Sequence, residues 1–193
     1  MFSLAYRFND SIEIQGVEHD IDMSFDNVLR VIEMLDDEDI QPIRKVTMGL
    51  EMLLDKKLEC DLQTQVDIFN EIIETKVYTS EKEKIALDRN GDPMPVVKEE
   101  NKQVYSIKHD AEYIFSSFKQ AYDIDLIEEQ GKLHWDKFRA YLIGLPTDTK
   151  FQQVMDIRQR EMPKGKGSEK ERKELKKLKE LYALPSQNLE EGE

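Results

Sequence analysis

The sequence predicts a mainly α fold with a small N-terminal β-hairpin (α+β), a helical bundle with a protruding or docked basic helix at its C-terminal end. Three observations predict it. From Phe25 onward the apolar residues recur at the spacing of amphipathic helices. Only Ser11 to Met23 alternates with the two-residue period of a strand. Gly and Pro number eight and six in 193 residues, too few for a loop-rich β protein.

In the alternating stretch Ile12 and Ile14 share one parity. Val17, His19, Ile21 and Met23 share another, against Glu18, Asp20 and Asp22. The break at Gln15-Gly16 makes this a hairpin with one wet face, which Tyr6 and Phe8 are placed to extend. Ser24 and Asp26 are cap candidates for a helix reaching about Leu35, with Phe25, Val28, Leu29, Ile32 and Leu35 inward. The acidic run Asp36-Asp37-Glu38-Asp39 ends it. Pro42 suits the first turn of a second helix ending near Leu54, and a third runs from about Leu62 to Lys76.

At about 100° per residue, Ile43, Val46, Leu50, Leu53 and Leu54 form one stripe of the second helix, with Met48 and Met52 roughly opposite. In the third, Leu62, Val66, Phe69 and Ile73 form one stripe, and Ile68 and Ile72 lie off it. A second apolar face implies a second neighbour, either another helix of the same chain or a partner protein. Methionine suits adaptable binding surfaces.

Helical spacing returns at Ile107. Ala111, Ile114, Phe115, Phe118 and Tyr122 make one face, and Trp135, Phe138, Leu142 and Leu145 make the next, stopped by Gly144 and Pro146. Thr147 or Asp148 caps a helix carrying Phe151, Val154, Met155 and Met162. Pro163 with Gly165 and Gly167 reads as a hinge. The last helix, about Ser168 to Leu184, has a narrow stripe of Leu175, Leu178, Leu181 and Tyr182. The expected organisation is therefore a hairpin plus three helices over 1–78, a polar linker or loop over 79–104, a helical module around Trp135 over 105–162, a basic helix over 163–184 and a disordered acidic end over 185–193. Ile114, Phe115, Phe118, Trp135, Phe138 and Leu142 are the expected core of the module.

A net charge of −13 disfavours phosphate backbones and anionic membranes as partners. No apolar run reaches the ~20 residues of a membrane span, and MFSLAYRFND lacks the pattern of a signal peptide. A lone Cys60 allows no intramolecular disulfide, consistent with a cytosolic setting. Charge is uneven: Lys164 to Lys179 holds eight Lys or Arg against three Glu, a net +5, so the remainder carries −18. Such a segment is either a solvated helix face or an element that docks on an acidic partner or on the protein's own body.

Asp88, Asn90, Asp92 and Glu99 stand at positions one, three, five and twelve of a calcium-type loop. Pro93 occupies position six, where such a loop needs Gly, so a polar turn is the better reading. His19, His109 and His134 are far apart, and no CxxC, HExxH, phosphate-binding glycine loop or GxSxG occurs. His134, beside Trp135 at a helix start, reads as a capping or packing residue. No catalytic residue, metal ligand or cofactor is assigned, and a non-enzymatic protein is expected. The candidate partner-binding residues are Met48, Met52, Ile68 and Ile72 on the second apolar faces and Lys173, Lys176 and Lys177 on the basic helix.

Several ordered pieces resemble one family. They are Asp110-Ala111 with Tyr113-Ile114 and Phe118; Tyr122 with Ile124-Asp125-Leu126; Leu133-His134-Trp135 with Phe138-Arg139; and Gly144-Leu145-Pro146, Thr149 and Ile157-Arg158. Ile12-Glu13-Ile14 through Gly16, then Phe25 and Val28-Leu29, are similar as well. The pattern resembles the bacteriophage gene-product-fifteen family of tailed phages and prophages of Gram-positive bacteria, over about residues 10 to 184. Asp123 departs from it, since Gly commonly follows the Tyr, and Glu128 to Lys132 is insertion-like.

The resemblance implies a role in tail morphogenesis as a tail assembly chaperone. Such a protein keeps the tape measure protein soluble and recruits tail-tube subunits. It acts in the host bacterial cytoplasm and is absent from the mature virion. The implied partners are the tape measure protein, the tail-tube protein and a second tail assembly chaperone. The alternative is a minor virion component, a connector or tail-completion protein. The family supplies no catalytic residues to carry over.

Overall fold

The computed structural model describes residues 3–78, 104–164 and 168–185. The linker expected at 79–104 with its calcium-like loop, the Gly165/Gly167 hinge and the acidic end lie outside the described residues, apart from Val104 and Pro185. The described chain holds seven α-helices and one two-stranded antiparallel hairpin, the mainly α architecture with a small hairpin that the sequence predicts. It forms two compact units. One comprises 3–78 with 129–140, the other 104–128 with 141–164 and 168–185. Residues 129–140, carrying Trp135, thus group with the N-terminal part rather than centring a 105–162 module.

In the first unit, β1 (Ser11–Ile14) pairs with β2 (Val17–Asp20) in the register Ile12↔His19 and Ile14↔Val17. Gln15 and Gly16 both take positive φ, 52° and 80°, the tight turn whose twist matches a hairpin. Tyr6 and Phe8 do not extend it. Residues 3–10 form no strand, and Phe8 instead stacks on His134 at 3.8 Å.

Helix α1 (Phe25–Asp36) buries Phe25, Asn27, Val28, Val31 and Met34, while Leu29, Ile32 and Leu35 are only half-buried. Its inner face is therefore turned by about a quarter-turn from the expected stripe. The cause is Asn27, whose Nδ2 donates to the carbonyls of Asp22 (3.0 Å) and Met52 (2.9 Å) and so enters the interior with its amide N–H groups paired. Helix α2 (Pro42–Leu54) starts at its proline and is followed by Asp55 in the left-handed conformation, φ 51°. It buries Gly49, Leu50, Leu53 and Leu54; Ile43, assigned inward, is 59% exposed on the first turn.

Gly49 is where α2 closes on its neighbours. A Cβ there would stand 2.5 Å from Cε2 of Phe69 and 3.3 Å from Cε of Met34. In an uncrowded helix Gly→Ala is favourable by up to about 1 kcal/mol. Here the sign reverses: Gly49→Ala is expected to destabilise by about 1–3 kcal/mol. Adding Phe69→Leu should recover part of that loss, as read from thermal melts of the two variants.

Helix α3 (Leu62–Ile72) is capped by Asp61. The Thr64 hydroxyl (2.6 Å) and backbone N–H (3.1 Å) donate to the Asp61 carboxylate, holding its pKa below the usual value. The sequence predicts one helix as far as about Lys76. After Ile72 it widens into a π-helical turn, Ile73–Val77, closed by Tyr78 N–H on Ile73 O at 2.8 Å. The turn ends at buried Val77, whose carbonyl accepts the indole N–H of Trp135 at 3.1 Å. Residues 133–135 are held by Phe25 N–H on Leu133 O (2.9 Å) and Trp135 N–H on Met23 O (2.8 Å). Phe138 completes the core between Phe25 and Trp135, its ring stacked on each at 5.0 and 5.7 Å.

Helix α5 (Trp135–Ile143) gives its residues to Ala140 to the first unit and the rest to the second. The second unit also contains α4 (Ala111–Tyr122), α6 (Lys150–Gln159) and α7 (Glu169–Leu181). Helix α6 begins after Thr149, one residue beyond the expected caps, and Met162 falls outside it and is exposed. Helix α4 buries Ile114, Ser117 and Phe118, whereas Phe115, expected in the core, is half-buried. Ser117 takes the inner position because its hydroxyl accepts the Phe151 N–H at 3.0 Å, satisfying a free donor at the start of α6.

Asp123 ends α4 at φ 54°, a conformation glycine adopts without strain. Its carboxylate is 2.7 Å from Lys119, an ion pair that lowers the Asp123 pKa and raises that of Lys119.

Candidate partner-binding surfaces

The four apolar residues proposed for partner contact separate into two pairs. Met48 and Met52 are half-buried on α2, so part of each side chain reaches solvent. Ile68 and Ile72 are 8% and 0% exposed and belong to the core of the first unit, which corrects their assignment as contact residues. The inner face of α3 draws on both predicted stripes. Phe69 faces inward as predicted, Ile68 and Ile72 join it there, and Leu62 of Phe69's own stripe is 43% exposed. Phe69 sets this orientation by lying in the space left by Gly49, and that brings Ile68 and Ile72 inward beside it.

Lys173, Lys176 and Lys177 of α7 are all exposed. Lys176 stands 3.8 Å from Glu180, a solvated pair. The helix is docked within its unit rather than protruding. Leu175 and Leu184 are buried. Lys150 Nζ donates to the Tyr182 hydroxyl at 2.6 Å and lies 4.5 Å from the centre of that ring. Lys179 Nζ donates to Arg158 O at 3.0 Å. Leu178 and Leu181 remain 38% and 70% exposed.

The anchor of this arrangement is a buried ion pair that spacing did not reveal. Arg158 Nη1 and Nη2 each donate to an Asp110 carboxylate oxygen at 2.7 Å. Arg158 also donates to the carbonyls of Val104 (3.0 Å) and Tyr182 (2.6 Å), and Asp110 accepts the Ser106 N–H at 3.0 Å. One guanidinium therefore ties together the approach to α4, helix α6 and the end of α7. The two residues are far apart in sequence, and their only signal there was their place among the family-like pieces.

A cleft of about 220 Å³ in the first unit is lined by Phe8, Asp10, Lys76, His134 and Asp136, among others. Both nitrogens of His134 are committed. Nδ1 accepts the Asp136 N–H at 3.0 Å, capping α5, so Nε2 carries the proton donated to Asp10 Oδ1 at 3.0 Å. His134 is thus both a cap and a packing residue. Among the described residues no group of three or more His, Cys, Asp or Glu is placed to hold a metal ion, and no helix is long and apolar enough to cross a membrane.

The family model described as Bacteriophage Gp15 protein matches residues 7–184. The chain belongs to this family. Gp15 membership makes it a phage structural or morphogenesis protein. No curated protein and no solved structure matches the chain. In this Gp15 protein the buried and paired members of the family-like pieces, Asp110, Phe118, Trp135, Phe138 and Arg158, build the two units, and the exposed lysines of α7 lie outside those pieces.

Proposed function

We propose that this chain is a non-enzymatic tail assembly chaperone of the Gp15 family that keeps the tape measure protein soluble and recruits tail-tube subunits. It acts in the host bacterial cytoplasm and leaves before the virion is complete. The observation that carries the reading is the family match across residues 7–184. Apolar side chains left at the surface of each unit, with Met48 and Met52 among them on α2, support binding to apolar helix faces.

The test is co-expression with the tape measure protein, scored by its soluble yield and by co-purification. No gain in soluble tape measure and no co-purification would sink the reading. Mass spectrometry of purified virions separates it from a minor virion component, since the chaperone is absent from finished particles. Within this reading, Met48→Glu with Met52→Glu is expected to reduce co-purification while leaving the melting temperature nearly unchanged. Ile72→Ala, in contrast, should cost about 2–5 kcal/mol of stability through a core cavity. A large loss of stability in the double methionine variant would place those side chains in the core instead.

A further inference from the structure

The outer side of α7 carries cations that no described residue of its unit engages. Lys170, Lys173 and Lys177 are exposed, and no ion pair engages them among the described residues. On a helical projection they fall within about one-sixth of a turn of one another, strung over about 10 Å of axis. Leu181 and Leu178, 70% and 38% exposed, adjoin them on one flank, with the exposed Glu174 between the two leucines on the projection. Lys176 is on the other flank and is already beside Glu180 at 3.8 Å, so it is not part of this stripe. The rest of the helix is fixed from below through Leu175, Lys179 and the Tyr182 contacts, so the stripe is presented on a held element.

A row of ammonium groups beside two leucines matches one kind of surface: a helix with an apolar seam and carboxylates at one edge. Cations spaced three and four residues apart face carboxylates of the same spacing when two helices lie at a shallow angle. Nucleic acid fits less well. It would bring no apolar counterpart for Leu178 and Leu181, and the −18 carried by the remainder of the chain opposes its approach. We infer that the Lys170–Lys173–Lys177 stripe, with Leu178 and Leu181, is the docking site for an acidic amphipathic helix of the partner protein. The inference rests on the proposed chaperone reading, and it specifies the chemistry of the partner segment.

The experiment uses the full chain and a synthetic amphipathic peptide with Glu at three- and four-residue spacing beside a leucine seam. A second peptide has each Glu replaced by Gln. Binding is read by fluorescence anisotropy at low and high salt, and tape-measure co-purification is measured in parallel. The Glu peptide is expected to bind, and to lose about tenfold or more in affinity with Lys170→Glu/Lys173→Glu/Lys177→Glu, with high salt and with the Gln peptide. Leu181→Ser should weaken it as well. The triple variant should melt close to wild type, because among the described residues no ion pair or hydrogen bond engages its three lysines.

Equal binding of the Glu peptide to wild type and triple variant, or no binding, overturns the inference even where the tape measure co-purifies. Peptide binding without tape-measure co-purification upholds this surface and removes the chaperone reading. Salt-sensitive self-association abolished by the triple substitution would make a second copy the occupant and overturn the assignment to a partner helix.

Discussion

Arg158→Met is expected to destabilise the second unit by about 3–5 kcal/mol, a large share of the 5–15 kcal/mol that holds a typical domain folded. The arginine side chain is 6% exposed and its Asp110 partner 1%, so neither charge retains useful hydration. Removing the cation strands the Asp110 carboxylate in the interior. It also strips the Val104 and Tyr182 carbonyls of their donor. The loss should fall on every segment the guanidinium joins. Amide exchange in α4, α6 and α7 should therefore accelerate, with α7 among the first to open. The double variant Asp110→Leu/Arg158→Met should recover part of the stability, because the penalty lies in the unpaired charge rather than in the absence of a bond. A single variant within about 1 kcal/mol of wild type, or a double variant no better than the single, would contradict the role of the pair as the clamp of this unit.

What the sequence made legible follows from how local each determinant is. The hairpin turn and the start of α2 were readable because Gln15-Gly16 and Pro42 act on the backbone where they stand. The faces of the helices were less readable, because a face is chosen by what approaches from elsewhere. In α3, Leu62/Val66/Phe69/Ile73 and Ile68/Ile72 both have helical spacing. The inner face takes Phe69 from one and Ile68 and Ile72 from the other, because the missing Cβ of Gly49 on another helix makes room for the Phe69 ring. Asn27, Ser117 and Asp110 are buried polar residues, which hydropathy assigns to the surface. Each is inside because its partner, Met52, Phe151 or Arg158, is supplied by a distant part of the chain. Of the candidate contact residues, the lysines of α7 kept their predicted exposure since a solvated cation needs no partner. Ile68 and Ile72 did not, since an isoleucine on a second face finds a neighbour wherever packing provides one.

Trp135→Ala is expected to remove about 3–5 kcal/mol from the first unit, and Trp135→Phe about 1–3 kcal/mol. The difference between the two separates volume from hydrogen bonding. The alanine variant leaves a cavity against Phe138, whose ring stacks on the indole at 5.7 Å. The phenylalanine variant fills most of that space but leaves the Val77 carbonyl without its N–H donor. That carbonyl sits at the end of a π-helical turn, where the last carbonyls have no intrahelical partner and depend on an outside donor. The phenylalanine variant should therefore loosen Ile73–Val77 selectively, as faster amide exchange there than in α1 or α2. Trp135 is the single tryptophan of the chain, so denaturation of the variants is followed by circular dichroism, and wild-type fluorescence reports on the first unit. Equal losses in the two variants would mean that the indole N–H, not the ring volume, carries the effect. A loss below about 1 kcal/mol in the alanine variant would contradict Trp135 as the residue that holds 129–140 to the N-terminal helices.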